Sequence, residues 1–216
     1  MTNLFSVFDP TTGIMSLNWL SSLIFIMIIP YKMWYTENKI NLTFNMMMSS
    51  LKTEMKMIMP YKGMTLISIS LFVMILINNL MGLMPYIFTA SSHLIFSLAM
   101  AFPMWLAFMI YGWTNKTNKM FSHLVPTGTP GILMPFMVMI ETISNIIRPG
   151  SLAVRLTANM IAGHLLMSLL GNNTSSMYLM ISTMIIYLVL MLFELAVAMI
   201  QSYVFMTLTT LYSSEI

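Results

Sequence analysis

Between Lys62 and Lys116 the chain carries no Lys, Arg, Asp or Glu. That uncharged, largely apolar stretch rules out an ordinary water-soluble domain. Such domains are about a quarter charged, whereas this chain of 216 residues is 7% charged and 58% hydrophobic. No interior of this size holds so much apolar surface, so lipid must serve as part of the solvent. In hydrocarbon every backbone N–H and C=O has to be paired within its own segment, which makes α-helices the natural spans. The expected fold is therefore an all-α polytopic membrane protein.

A hydrocarbon core of about 30 Å needs about 20 apolar residues of helix. The stretch from Thr11 to Tyr31 is free of charge and follows Asp9-Pro10, a helix-start signal, so a first span is expected over 14–31. Met84-Pro85 and Ser91-Ser92-His93 interrupt the uncharged stretch, predicting spans over 64–84 and 94–113. Between the first span and these two, Phe44, Met48, Leu51, Met55 and Ile58 recur at helical spacing, with Asn45, Ser49, Lys52 and Lys56 on another face. That pattern predicts an amphipathic surface helix over 40–60. If the three spans cross in turn, every Lys of the chain falls on one side, in 32–62 and 114–131. The positive-inside rule turns that side toward cytoplasm or matrix. Pro126, Gly128, Pro130 and Gly131 mark the second of these segments as a turn.

The last third predicts two long helices, 132–170 and 176–212, separated by Gly171-Asn172-Asn173-Thr174-Ser175. A helix over 132–170 would be about 58 Å long, nearly twice the hydrocarbon thickness. Either Pro149-Gly150 divides it, or the helices lie strongly tilted. The architecture comes to about five membrane segments plus the surface helix, all in one membrane domain.

This third also holds nearly all the ionisable groups at membrane depth: Glu141, Arg148, Arg155, His164 and Glu194. Charges there are costly and by default functional. At about 100° per residue, Glu141, Arg148, Arg155 and Asn159 fall within about 40° of one another, while His164 takes roughly the opposite face. Glu194 and Gln201 share a face of the final helix. Glu141 offers Arg148 a neutralising partner, since buried charges need one. Arg155 has no acid one turn away, so its partner lies on another helix or another chain. An arginine holds its proton under all conditions in a protein, so Arg155 is a fixed positive charge and no relay. His164 exchanges protons near neutral pH, and Glu194 and Glu141 do so if burial raises their pKa values. Titratable stepping stones around a non-titratable barrier suit controlled proton transfer, and the histidine favours H⁺ over Na⁺.

The run Ile147-Arg148-Pro149, Ala153-Val154-Arg155-Leu156-Thr157-Ala158-Asn159 and Ala162-Gly163-His164 resembles the core motif of subunit a of F-type ATP synthase in its mitochondrial form. Leu4-Phe5-Ser6-Val7-Phe8-Asp9-Pro10 resembles the start of invertebrate mitochondrial members, and Glu194 with Gln201 also match. The resemblance covers essentially the whole chain. It implies a non-catalytic, proton-translocating stator subunit of the Fo sector, multi-pass in the mitochondrial inner membrane. The Lys-rich segments would face the matrix and the N-terminus the intermembrane space. It further implies that Arg155 faces the rotating c-subunit ring and prevents a short circuit between two aqueous half-channels. His164 and Glu194 would line one half-channel, with Asn159 and Gln201 as polar neighbours and Glu141 as a further acidic position. Bacterial members exchange the acid and the imidazole of the His164–Glu194 pair. The long C-terminal helices would form a tilted hairpin across the ring. Implied partners are the c ring, peripheral-stalk subunits including b and the small subunit 8, other Fo subunits and the lipid bilayer, with no nucleic acid.

Other classes find less support. The absence of cysteine excludes disulfides and thiolate metal sites, and no cofactor or metal is expected. His93, His123 and His164 are not spaced as a ligand set, and neither GxSxG nor HExxH occurs, against an intramembrane hydrolase. No inverted repeat supports a self-contained transporter. The 29 methionines lie scattered through the apolar segments as flexible filler. A cleaved signal peptide is not expected, since the first basic residue is Lys32 and the first alanine Ala90. The short glycosylation-like sequons at Asn41, Asn115 and Asn172 read as chance.

Overall fold

A computed structural model describes residues 4–11, 16–32, 35–59, 62–125, 130–172 and 177–215. Among these residues the chain is all-helical. The start of the expected first span, Pro126 and Gly128 of the Lys-side turn, and Asn173 to Ser175 of the expected hairpin loop lie outside the described residues.

The apolar segment near the N-terminus is a short one. A 3₁₀ helix over Leu17–Leu23 runs into helix α1, Ile24–Ile28. At about 2 Å rise per 3₁₀ residue and about 1.5 Å per α residue, this covers roughly 20 Å, short of the hydrocarbon thickness. Ser22 Oγ donates to Trp19 O at 2.8 Å, and Ser21 Oγ donates to Phe88 O at 3.1 Å. Pro30 ends it, because the residue before a proline is pushed out of the helical region, and Ile29 is extended. Upstream, the hydroxyl and then the amide of Thr11 bond the Asp9 carboxylate at 2.6 and 3.0 Å and hold its pKa below the usual range.

Helix α2 spans Lys39–Ile58. The residues that recur at helical spacing are those it buries: Met55 is fully inside, and Phe44, Met48, Leu51 and Ile58 pack beside it. Their partners are protein as well as α1, namely Phe72, Val73 and Ile77 of α3, Lys62–Gly82, and Met206 of α7, Met177–Glu215. Helix α4 covers Leu94–Asn115 and continues through Pro103; the short amphipathic α5 covers Thr117–Leu124. Among the described residues four helices are long and apolar enough to cross a membrane: α3, α4, α6 and α7.

Helix α6 runs from Met134 to Asn172, and α7 matches it in length at 39 residues. Pro149-Gly150 does not divide α6. The proline forgoes one backbone hydrogen bond, and its ring is buried against neighbours that hold the helix continuous. Side-chain pairs between the two helices fall at Arg148–Glu215, Asn159–Gln201 and Gly163–Glu194. The first number rises as the second falls, so α6 and α7 run antiparallel.

The most extensive helix pairing is α3 against α7. Small polar residues are buried on both helices: Ser68 on α3, and Ser202, Thr209, Thr210 and Ser213 on α7. Each hydroxyl donates back to the carbonyl three residues earlier, which satisfies it locally and lets the backbones approach. The other half of α7 packs on little: Ile181, Met184, Ile185, Leu188, Val189, Leu192 and Phe193 are exposed. One helix therefore has a protein-facing end and an apolar end turned outward.

Candidate functional site

Two arginines lie two turns apart on α6. Arg148 is held three ways. Glu141, two turns earlier, lies 3.6 Å from its guanidinium, Glu215 near the end of α7 makes a direct ion pair, and the Tyr212 ring lies beneath it at 5.1 Å. The reading that Glu141 neutralises Arg148 is thus met by a pair that has a third member. Glu215 escaped the sequence reading because it lies near the chain terminus, and only the antiparallel course of α6 and α7 brings it to Arg148. Arg155 is different. It is exposed, and among the described residues no hydrogen bond or ion pair engages it.

One turn beyond Arg155, Asn159 Nδ2 donates to Gln201 Oε1 at 3.2 Å across the α6–α7 interface. Gln201 is buried, its amide nitrogen without a protein partner. A turn further along α6, the Glu194 carboxylate rests directly on the backbone at Gly163. A Cβ built there would fall on the carboxylate oxygens, so any larger residue would push the Glu194 carboxylate aside. Glu194 itself is 6% exposed. Gly163 belongs to the motif quoted above, but nothing in local sequence says which distant side chain its missing Cβ makes room for.

His164 follows and lines a cleft of about 510 Å³ together with Val7, the 82–89 segment after α3, and Met167, Ser168, Thr183 and Tyr187. Phe8, from the 3₁₀ helix Leu4–Phe8, meets the imidazole edge-on at 6.2 Å. The N-terminal segment therefore lids His164. Tyr86 in the same cleft wall adopts φ 68°, a left-handed conformation rare for a non-glycine residue.

A second cavity of about 170 Å³ opens at the other end of the bundle, lined by His123, Glu141, Asn145, Arg148, Tyr212 and Glu215 among others. Lys116 and Lys119 flank Ser213 and Ser214 close by, so this is the lysine-bearing end. Along α6, Arg148 at one opening and His164 at the other are about 24 Å apart, sixteen residues at about 1.5 Å each. Arg155 stands between them. The described residues contain no cluster of His, Cys, Asp or Glu able to hold a metal ion.

Residues 13–214 match the family described as ATP synthase A chain. The ATP synthase subunit a of Anopheles quadrimaculatus is 56% identical over all of this chain and 99% of its own length. Those of Drosophila simulans and Drosophila melanogaster are 57% identical at the same coverage. A family match over nearly the whole chain, with relatives at this identity end to end, leaves one conclusion: the chain belongs to the ATP synthase A chain family.

Proposed function

We propose that this chain is the stationary half of a rotary proton path, loading and unloading carboxylates on a ring of c subunits through two aqueous half-channels. Family membership makes it a proton-translocating component of the Fo sector, a multi-pass protein of the mitochondrial inner membrane working with other ATP synthase subunits. The finer reading rests on one observation above all. An exposed arginine without a counter-charge in the described residues stands between two openings that each carry titratable side chains.

In this reading the cleft under Phe8 admits protons to His164 and Glu194. Glu194 passes them to a ring carboxylate, and Arg155 draws each carboxylate into its charged form as the proton leaves. A fixed cation also repels hydronium, so protons travel with the ring and do not jump between half-channels. Asn159 and Gln201 hold the polar surroundings of Arg155. The second opening, with Glu141, returns protons to the other side. The lysine-bearing end faces the matrix under the positive-inside rule, and the cleft end faces the intermembrane space. Peripheral-stalk subunits, b and the small subunit 8 among them, hold the chain against the ring's torque. A self-contained channel would need a counter-charge for Arg155 within the chain, and the described residues supply none.

The test is Arg155→Ala in the assembled complex. Coupled ATP synthesis should be lost while the complex still assembles; normal coupled synthesis would overturn the proposal.

A further inference from the structure

Helix α3 carries a buried amide that the proton path described above does not use. Asn79 is 0% exposed, and neither its Oδ1 nor its Nδ2 has a protein partner. Buried amides are almost always bonded, because an unmet donor or acceptor costs the full loss of its hydration.

Its neighbours follow from the packing around it. Ile75 and Asn79 lie one turn apart on α3, and Leu83 follows directly after the helix ends at Gly82. Ile75 packs with Leu152 and Leu156 of α6 and with Phe205 of α7. Leu83 packs with Met160 of α6 and Ala198 of α7. Asn79 lies between these layers, at the level of residues 156–160 on α6 and of Gln201 and Ser202 on α7. At this level on α7, Gln201 Nε2 is a buried donor that likewise has no protein partner, as is Asn78 Nδ2 beside Asn79. Ser202 is fully buried, and its hydroxyl proton is used on Met199 O, leaving its oxygen free to accept. Two amides and a hydroxyl supply the partners that a buried water requires.

We propose that Asn79 is a positioning residue of the proton path. Through a bridging water it fixes the Gln201 amide, so that Gln201 Oε1 stays turned to Asn159, one helical turn from Arg155. The water accepts from Gln201 Nε2 and donates to Asn79 Oδ1. α3 thereby takes part in orienting the polar surroundings of Arg155 without touching the arginine. This inference rests on the proton-path reading above.

The experiment is ATP-driven proton pumping in inner-membrane vesicles holding the intact complex. The variants are Asn79→Leu, Gln201→Leu and the double variant, with Arg155→Gln in parallel. Asn79→Leu should lower pumping per assembled complex by about tenfold, the cost of one buried orphan donor, and should add nothing on top of Gln201→Leu. Pumping at the parent rate, or losses that multiply in the double variant, would overturn the proposal. If Asn79→Leu prevents assembly, Asn79→Ser and Asn79→Ala decide: serine should restore pumping by bonding the water, alanine should not, and equal rates in the two would overturn it. An inactive Arg155→Gln beside an unaffected Asn79→Leu removes only this inference, whereas a fully active Arg155→Gln removes the proton-path reading itself.

Discussion

Arg148 and Arg155 are the same residue on the same helix, two turns apart, and the structure treats them in opposite ways. Arg148 is tied to two carboxylates and laid on a tyrosine ring. Its charge is spent inside the chain, joining the first half of α6 to the end of α7. Arg155 is exposed with no partner among the described residues. An unspent charge on a membrane helix is expensive, and in the proposed reading it is met by the carboxylates of the ring. A paired charge holds a fold together, and an unpaired one waits for a partner.

That contrast is open to breaking. The largest effect is expected from Arg155→Lys. Lysine keeps a charge but has a pKa that desolvation shifts, and it lacks the planar fork that grips a carboxylate. Coupled synthesis should fall by about tenfold or more, a loss of at least one strong charge-assisted bond, with assembly on native gels unchanged. Loss of assembly would mean that Arg155 is structural after all. Next comes Gly163→Ala, whose Cβ would displace the Glu194 carboxylate. Proton-driven synthesis should drop by about tenfold, as expected when a positioned proton carrier is moved. A parental rate would separate Glu194 from the path.

Arg148→Gln should behave in the opposite sense to the Arg155 variants. It strands Glu141 and Glu215 and costs about 1 kcal/mol, the low end for lost charged bonds because all three side chains keep contact with solvent. Fewer complexes should assemble, yet each should make ATP within about threefold of the parent rate, a bound consistent with a site off the central exchange. A per-complex loss equal to that of Arg155→Gln would erase the distinction. The smallest effect is expected from Glu141→Gln, since Glu215 still pairs Arg148. Assembly should change by about 0.5 kcal/mol or less, read as the thermal midpoint of the extracted complex.

The sequence made one side of this comparison legible. Cost at membrane depth marked Arg155 along with Glu141, Arg148, His164 and Glu194, and the lack of an acid one turn away set its expected partner on another helix or another chain; among the described residues none engages it. Periodicity likewise picked out Phe44, Met48, Leu51, Met55 and Ile58 as the apolar face of a helix expected on the membrane surface, although it did not show that α3 and α7 would cover that face. Residues that meet only through the antiparallel pairing of α6 with α7 were beyond reach. Glu215 reaches Arg148 from the far end of α7, and Glu194 settles on Gly163. Phe8 lids His164 from the opposite end of the chain. Helical spacing speaks for neighbours within one element, and such long-range meetings leave no trace in it. The 3₁₀ winding of Leu17–Leu23 was hidden for a different reason: an apolar run reads alike in either helix.

The most direct test of the central claim places Arg155→Gln beside Arg148→Gln in the native complex and measures proton-driven ATP synthesis and passive proton leak together. The account predicts that Arg155→Gln assembles normally, loses synthesis and leaks protons, while Arg148→Gln assembles less well but stays coupled and tight. Unchanged synthesis and leak in Arg155→Gln would contradict it.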